Sequence, residues 1–304
     1  MPQIPAIITK VKPDGRKEYS LNSKKLFYRP FTLRPDRDST DGTLSLSATA
    51  GATDHSPMNV SQEGPVQIYS FVASSDRFDA YNDYGILVEI KDAGSGKSLM
   101  SSPVHMNTIF GTPEFPMVLP EMFYLNQRRS LTVTIENIFA YEQDVDIALQ
   151  GRRIYPTSAH NAAVNKHVSD LAQRSIGSMP YFLTTSETLT LSAGTTNTYS
   201  FPSEADAYFE AFGIAAVAYD NDNSNPNMDG DFECKLYDGE TERKLHTGKI
   251  KLSTNFGTGQ RKYVFPESFL VQPNKNIRME ITNTTPNSHE TTIYITFIGR
   301  KLYV

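Results

Sequence analysis

Two stretches of this chain match at a fixed distance. Ile109–Leu125 (IFGTPEFPMVLPEMFYL) and Asn255–Val271 (NFGTGQRKYVFPESFLV) share F-G-T and then V-x-P-E-x-F. Phe110 and Phe256 stand 146 positions apart (256 − 110), and the same step takes Glu121 to Glu267, Ile135 to Ile281, Asn137 to Asn283, Asp92 to Asp238 and Leu99 to Leu245. With a slip of two residues GRRIYP from Gly151 matches GRKLYV from Gly299. With a slip of one, TLSLSA from Thr43 matches TLTLSA from Thr188. At the unshifted step Tyr69–Val72 falls on Ala215–Ala218, and there the match is faint. Matches in one order and at one spacing imply a tandem duplication, so the chain must fold as two copies of one design, each large enough to bury a core.

Each copy reads as a succession of short strands. SLTVTIENI sets Leu131, Val133 and Ile135 against Ser130, Thr132 and Thr134, the period of two that marks a half-buried strand. TLSLSA, VQIYSFVA, YGILVEI and VDIALQGRRIY complete the first copy, and NIRMEITN and TIYITFIGRKLY repeat the alternation in the second. Glycine, proline and Asn/Asp clusters separate the runs, which favours a sandwich or jelly roll. A parallel α/β fold would need amphipathic helices between strands, and neither copy offers one. The expected fold is therefore all-β: two tandem antiparallel β-sandwich, jelly-roll-like domains over 27–156 and 180–304. An extended N-terminal arm occupies 1–26, placed equally well on its own domain or on a neighbouring subunit. A partly helical linker fills 157–179, where Val164, Val168 and Leu171 recur at helical spacing, Thr157 or Ser158 can cap the start and Gly177 suits the end.

Composition narrows the function. A formal charge of −5 gives no reason to expect nucleic acid as a partner. No apolar run is long enough to span a membrane, and MPQIPAIITKVKPDGRK carries no secretory signal. With Cys234 as the single cysteine, an intramolecular disulfide and a multi-cysteine metal site are excluded, and folding in a reducing cytoplasm is expected.

The motifs that suggest chemistry weaken on inspection. KDAGSGKSLM (Lys91–Met100) follows the apolar YGILVEI and ends like a phosphate-binding loop. A P-loop requires glycine where Lys91 stands and a helix after the loop, but Pro103 and β-type residues follow. Its counterpart YDGETERKLH replaces the glycines with Glu-Thr-Glu, so the segment reads as a hairpin turn. In DNDNSNPNMDGD, Asp220, Asp222, Ser224, Asp229 and Asp231 offer hard oxygen ligands of the kind Ca²⁺ takes, although an EF-type loop would carry Gly at Asn225 and Glu at Asp231. The alternative is a solvated loop, and no other cofactor is expected. Asp76, Asp79 and Asp83 make the equivalent loop of the first copy acidic too.

His55, His105, His160, His167, His246 and His289 are scattered and read as structural or surface residues. Cys234 lies in the strand-like DFECKLYD, a place for a buried apolar group. Glu121 and Glu267 are the tempting carboxylate pair for glycoside hydrolysis, but their repetition points to the fold, for instance to bonding backbone in a turn. Asn59 and Asn283 head glycosylation sequons that matter only on secretion. The expectation is a chain that assembles and is not an enzyme.

The repeat F-G-T…P-E-x-F…(L/I)-x-(V/M)-x-I-x-N…G-R-(R/K)-(I/L)-Y resembles structural proteins of bacteriophage virions, over both copies. In architecture it is also similar to the double jelly-roll major capsid proteins of tailless phages. The resemblance implies a virion component, in the capsid or at the neck, whose partners are copies of itself (a homo-oligomer) and other virion proteins. A tandem carbohydrate-binding module is the other reading, with exposed Tyr and Phe available but no Trp. Ala48–Gln62 and the arm are the expected places of intersubunit contact.

Overall fold

The alternation of SLTVTIEN becomes a strand with every second residue buried, and NIRMEITN repeats the same burial pattern residue for residue. The computed structural model describes residues 7–11, 17–21, 24–36, 43–81, 83–156, 178–221, 230–239, 241–252, 256–286 and 289–303. In the first half, β1 (Ile7–Val11), β2 (Lys17–Leu21), β3 (Lys24–Leu33), β4 (Leu44–Leu46), β5 (Thr53–Asn59) and β6 (Val66–Ser75) lead to the six-residue helix α1 (Asp76–Tyr81). Then come β7 (Ile86–Asp92), β8 (Val104–His105), α2 (Met106–Ile109), β9 (Met117–Leu125), β10 (Ser130–Asn137) and β11 (Gln143–Pro156). The second half holds β12 (Ser178–Leu183), β13 (Leu189–Leu191), β14 (Thr196–Pro202), β15 (Tyr208–Asn221), β16 (Phe232–Asp238), β17 (Ile250–Lys251), β18 (Tyr263–Val271), β19 (Asn276–Asn283) and β20 (Glu290–Leu302).

In each half eight strands form two facing antiparallel sheets. β4-β11-β6-β9 opposes β5-β10-β7-β8, and β13-β20-β15-β18 opposes β14-β19-β16-β17. Numbered from one to eight, the orders are 1-8-3-6 and 2-7-4-5, so successive strands cross between sheets as in a jelly roll. β3 flanks β11 as β12 flanks β20, and only β3 is extended further, by β2 and β1. Residues 7–11 and 17–21 of the expected arm are thus paired strands. The expected linker helix falls on 157–177, outside the described residues, and Ser178 already begins β12.

The pairing registers repeat as well. Leu131 opposite Asp92 becomes Ile277 opposite Asp238, a step of 146 on both strands. On the other sheet Leu125 opposite Val66 becomes Val271 opposite Phe209, a step of 146 on one strand but 143 on the other. That three-residue difference explains the faint match near Tyr69: Val72 corresponds to Ala215, not to Ala218. Ala48–Gln62 is likewise not one long loop, since Thr53–Asn59 is a strand as long as its counterpart β14.

The shared motif residues mark places where backbone meets backbone. A Cβ on Gly111 would overlap the carbonyl of Phe115, and one on Gly257 that of Arg261, so the F-G-T turn admits only glycine. Gly151 and Gly299 sit against the carbonyls of Gln67 and Glu210 at matching bulges. Asn137 donates its amide to Ser47 and Tyr141 carbonyls, as Asn283 does to Leu191 and His289. The sequon asparagine Asn283 is therefore buried and engaged.

The GKS segment is the expected turn. Asp92 N donates to Lys97 O and Asp238 N to Arg243 O, both at 2.9 Å. Gly96 has φ 68° and its counterpart Glu242 has φ 55°, a left-handed conformation that a side chain resists. Glu242→Gly is expected to raise stability by about 0.5 kcal/mol, relief of strain set against a looser unfolded chain. A urea titration measures it, and a loss of that size would mean that the Glu242–Arg278 ion pair outweighs the strain.

Candidate functional site

The most elaborate polar chemistry lies where the two modules meet. Two short helices bring it there, and neither was expected from sequence. Ser75 Oγ accepts from Phe78 N at the start of α1, and His105 Nδ1 accepts from Asn107 N at the start of α2. All four residues of α2 are buried.

At the centre is Asp83. Its Oδ1 accepts from the Tyr219 hydroxyl at 2.6 Å and from Gly85 N at 2.9 Å, and its Oδ2 from Arg77 Nη2 at 3.4 Å. His105 Nε2 lies 2.6 Å from the same hydroxyl. Because Nδ1 accepts from Asn107, the imidazole carries its proton on Nε2, which donates to Tyr219, which donates to Asp83. The His105 and Tyr294 rings lie 4.9 Å apart, and Arg77 stands 4.4 Å over Tyr141. Burial brings the His105 pKa down to about 4, with Arg77 acting in the same direction and Asp83 against. Burial and then the Asp83 charge push Tyr219 well above the usual phenol value. The imidazole is neutral and the phenol protonated at any ordinary pH. With His105 and Tyr219 each 1% exposed, this network joins β8 of one module to β15 of the other.

Around it the seam is closed by packing and pairing. Phe182 N donates to Leu99 O and Ser101 N to Phe182 O, and the Phe182 ring lies 5.9 Å from Phe71. Phe182, Ala215 and Ile298 of the second module belong to the core of the first. Thr108 and Thr296 share a hydrogen bond of 2.7 Å, and Gly259 N donates to Asn107 O. Lys97 of the GKS turn pairs with Asp206 at 3.5 Å and lies over the Tyr303 ring.

Glu121 and Glu267 do not form a pair. Glu121 accepts from Arg300 Nη1 and from Ser178 Oγ, each at 2.6 Å, while Arg300 Nε donates to Glu210 at 2.6 Å. Burial works to raise the Glu210 pKa, but Ser268 and Arg300 outweigh it and hold the carboxyl below its usual value. Glu267 is exposed on β18. Neither repeated glutamate bonds backbone among the hydrogen bonds described, so the repeated residue has acquired an inter-module role in one copy only. No sequence signal marks Arg300 as the distant partner.

Of the calcium candidates, Asp222, Ser224 and Asp229 lie outside the described residues. Asp220, at the end of β15, is buried with its Oδ1 3.0 Å from His289 Nδ1, and Asp231 Oδ1 accepts from Phe232 N. Among the described residues no group of three metal-ligating side chains occurs. His160 and His167 also lie outside them, His55 is exposed, and His246 Nε2 accepts from Leu236 N. Burial raises the Cys234 thiol to about 12, so it is an inert apolar residue of the second core. No described helix is long and apolar enough to cross a membrane.

No family model matches the chain, and no curated protein matches it. Solved structures do. The N-glycanase PNGase F, an asparagine amidase, aligns over 90% of this chain and 96% of its own with 6% identity and a TM-score of 0.39. The PNGase F of Flavobacterium meningosepticum aligns over 91% and 96% with 9% identity and a TM-score of 0.33. A structure of Sulfolobus turreted icosahedral virus aligns over 88% of this chain and 62% of that one with 9% identity and a TM-score of 0.24. The VP2 subviral particle of infectious bursal disease virus aligns over 92% and 72% with 9% identity and a TM-score of 0.25. The expectation that the chain is not an enzyme is corrected by the first of these findings, since an amidase stands among its structural neighbours beside viral capsid proteins.

Proposed function

We propose that the chain is a structural subunit of a bacteriophage virion, in or on the capsid, that assembles with copies of itself through two jelly-roll modules arisen by tandem duplication. One observation carries the reading. β9 and β18 are the edge strands of their sheets, and both expose large apolar side chains: Val118 54% and Met122 43% on one, Val264 58% and Leu270 54% on the other. Lys262, the residue before β18, donates from Nζ to Val118 O of β9 at 2.7 Å. A monomer hides or charges its sheet edges, and large apolar side chains exposed on an edge strand of each module are what a subunit presents to a neighbour. The pairing at Pro120 and Pro266 is interrupted by matching bulges, which turns the edge from open-ended sheet growth towards a side-chain contact.

The test is the mass of the purified chain in solution over a wide range of concentration. A defined oligomer or shell is expected, and Val264→Lys together with Leu270→Lys is expected to dissociate it. A monomer at every concentration overturns the reading.

A further inference from the structure

The two modules share one design, but only one has its seam-forming face covered. Leu99 is 1% exposed and its counterpart Leu245 is 38% exposed; Met117 is fully buried and its counterpart Tyr263 is 39% exposed. Each pair is separated by the repeat step of 146. What covers Leu99 and Met117 is the second module, whose Phe182, Ala215 and Ile298 complete the core there. On the second module the same face is open, with Glu267 exposed as Leu245 and Tyr263 are.

The face that does the covering also has a counterpart. It is the outer side of β12, β20 and β15, and its equivalent is the outer side of β3, β11 and β6, where Thr32 is exposed in the place of Phe182 and Gln150 is half-buried in the place of Ile298. Arg152 occupies there the place of Arg300, a step of 148 on the paired strands. The local contacts of the two arginines correspond. Arg300 Nε donates to Glu210, and Arg152 Nε donates to Gln67 at the equivalent position, also at 2.6 Å. The difference is at the outer nitrogen: Arg300 Nη1 holds Glu121 of the other module, whereas no carboxylate among the described residues meets Arg152. Glu267, the counterpart of Glu121, likewise has no ion-pair partner among the described residues. One chain therefore carries an exposed carboxylate on the uncovered face and, on the counterpart of the covering face, a guanidinium that bonds Gln67 and stacks on the Tyr28 ring but meets no described carboxylate.

We infer that the second module docks onto the β3-β11-β6 face of the first module of another copy, with Glu267 held by Arg152 of that copy as Glu121 is held by Arg300 within the chain. This rests on the self-assembly reading and names its partner surface. The contact is head-to-tail, so it gives a ring where the rotation closes and a filament where it does not. Every module then has a module on either side, within the chain and between chains alternately.

Sedimentation of the full chain over a concentration series tests this. Wild type is expected to assemble. Glu267→Arg and Arg152→Glu should each weaken assembly by at least about tenfold, and the double variant should recover it, because opposite charges then face each other again. Glu267 is exposed, so its reversal leaves folding intact, and a thermal melt checks that Arg152→Glu does too. A chain with both Glu267→Cys and Arg152→Cys should form disulfide-linked multimers on mild oxidation, Cys234 being buried. If wild type assembles but neither reversal weakens it, or the double variant fails to recover, this interface is wrong and self-assembly stands. If wild type stays monomeric throughout, both fall.

Discussion

Replacing Asp83 with alanine is expected to cost about 3–5 kcal/mol of stability, the range seen when one member of a buried ion pair is removed. The reason is the company the carboxylate keeps. It is 2% exposed, and the Arg77 beside it is 9% exposed, under the rings of Phe139 and Tyr141. Removing the carboxylate takes from a guanidinium in low dielectric the charge of its partner at 3.4 Å. It also takes the acceptor from the Tyr219 hydroxyl and from Gly85 N. Asp83→Asn keeps an oxygen for Tyr219 but no charge, and its loss should be intermediate. Tyr219→Phe removes only the bridging hydroxyl and should cost about 1–2 kcal/mol. Urea unfolding of the three variants gives the order. The network spans the seam, so Asp83→Ala should also separate the unfolding of the two modules, giving two transitions where wild type has one. A loss under about 1 kcal/mol, with a single transition, would show that packing alone fastens the modules.

Much of the fold could be read from sequence because its causes are local. Alternating Leu131, Val133 and Ile135 bury one face whatever the strand packs against, and the glycines of F-G-T and G-R-R answer to backbone contacts that both copies repeat. The seam could not be read this way, because its partners are far apart in the chain. Glu121 and Arg300 are 179 positions apart, and Tyr219 lies 136 from Asp83 and 114 from His105. Repetition even misled: a glutamate present in both copies suggested one shared role, whereas the structure gives Glu121 a partner across the seam and leaves Glu267 exposed. The useful signal was divergence within the repeat. His105 stands where the second copy has Lys251, and Met117 where it has Tyr263, both at the step of 146. Those are positions where one copy must be buried against its twin and the other is not. The short helices leave no mark in the sequence because each is under two turns long, set by one side-chain cap rather than by an apolar stripe.

Lowering the pH from 7 to 5 should cost about 2 kcal/mol of folding stability through His105 alone. Burial lowers its pKa to about 4, against 6.5 for the free side chain. The unfolded chain therefore binds a proton between these values that the folded chain refuses. The stability from neutral His105 is complete above pH 6.5, declines as pH falls, and is lost by about pH 4, a total of about 3 kcal/mol. The charged groups facing the imidazole set the balance. Asp83 at 3.8 Å would favour the cation, and Arg77 opposes it. Tyr219 and Tyr294, both raised in pKa by burial, stay neutral throughout. Protonation would also place a hydrogen on Nδ1, which now accepts from Asn107 N, and so release the cap of α2. Other groups titrate in this range, so the quantity to measure is the difference between wild type and His105→Gln. The variant is less stable at pH 7, and the gap should narrow by about 2 kcal/mol at pH 5. A gap that is constant, or that widens on acidification, would mean that the imidazole takes up its proton within the fold and that Asp83 prevails over burial.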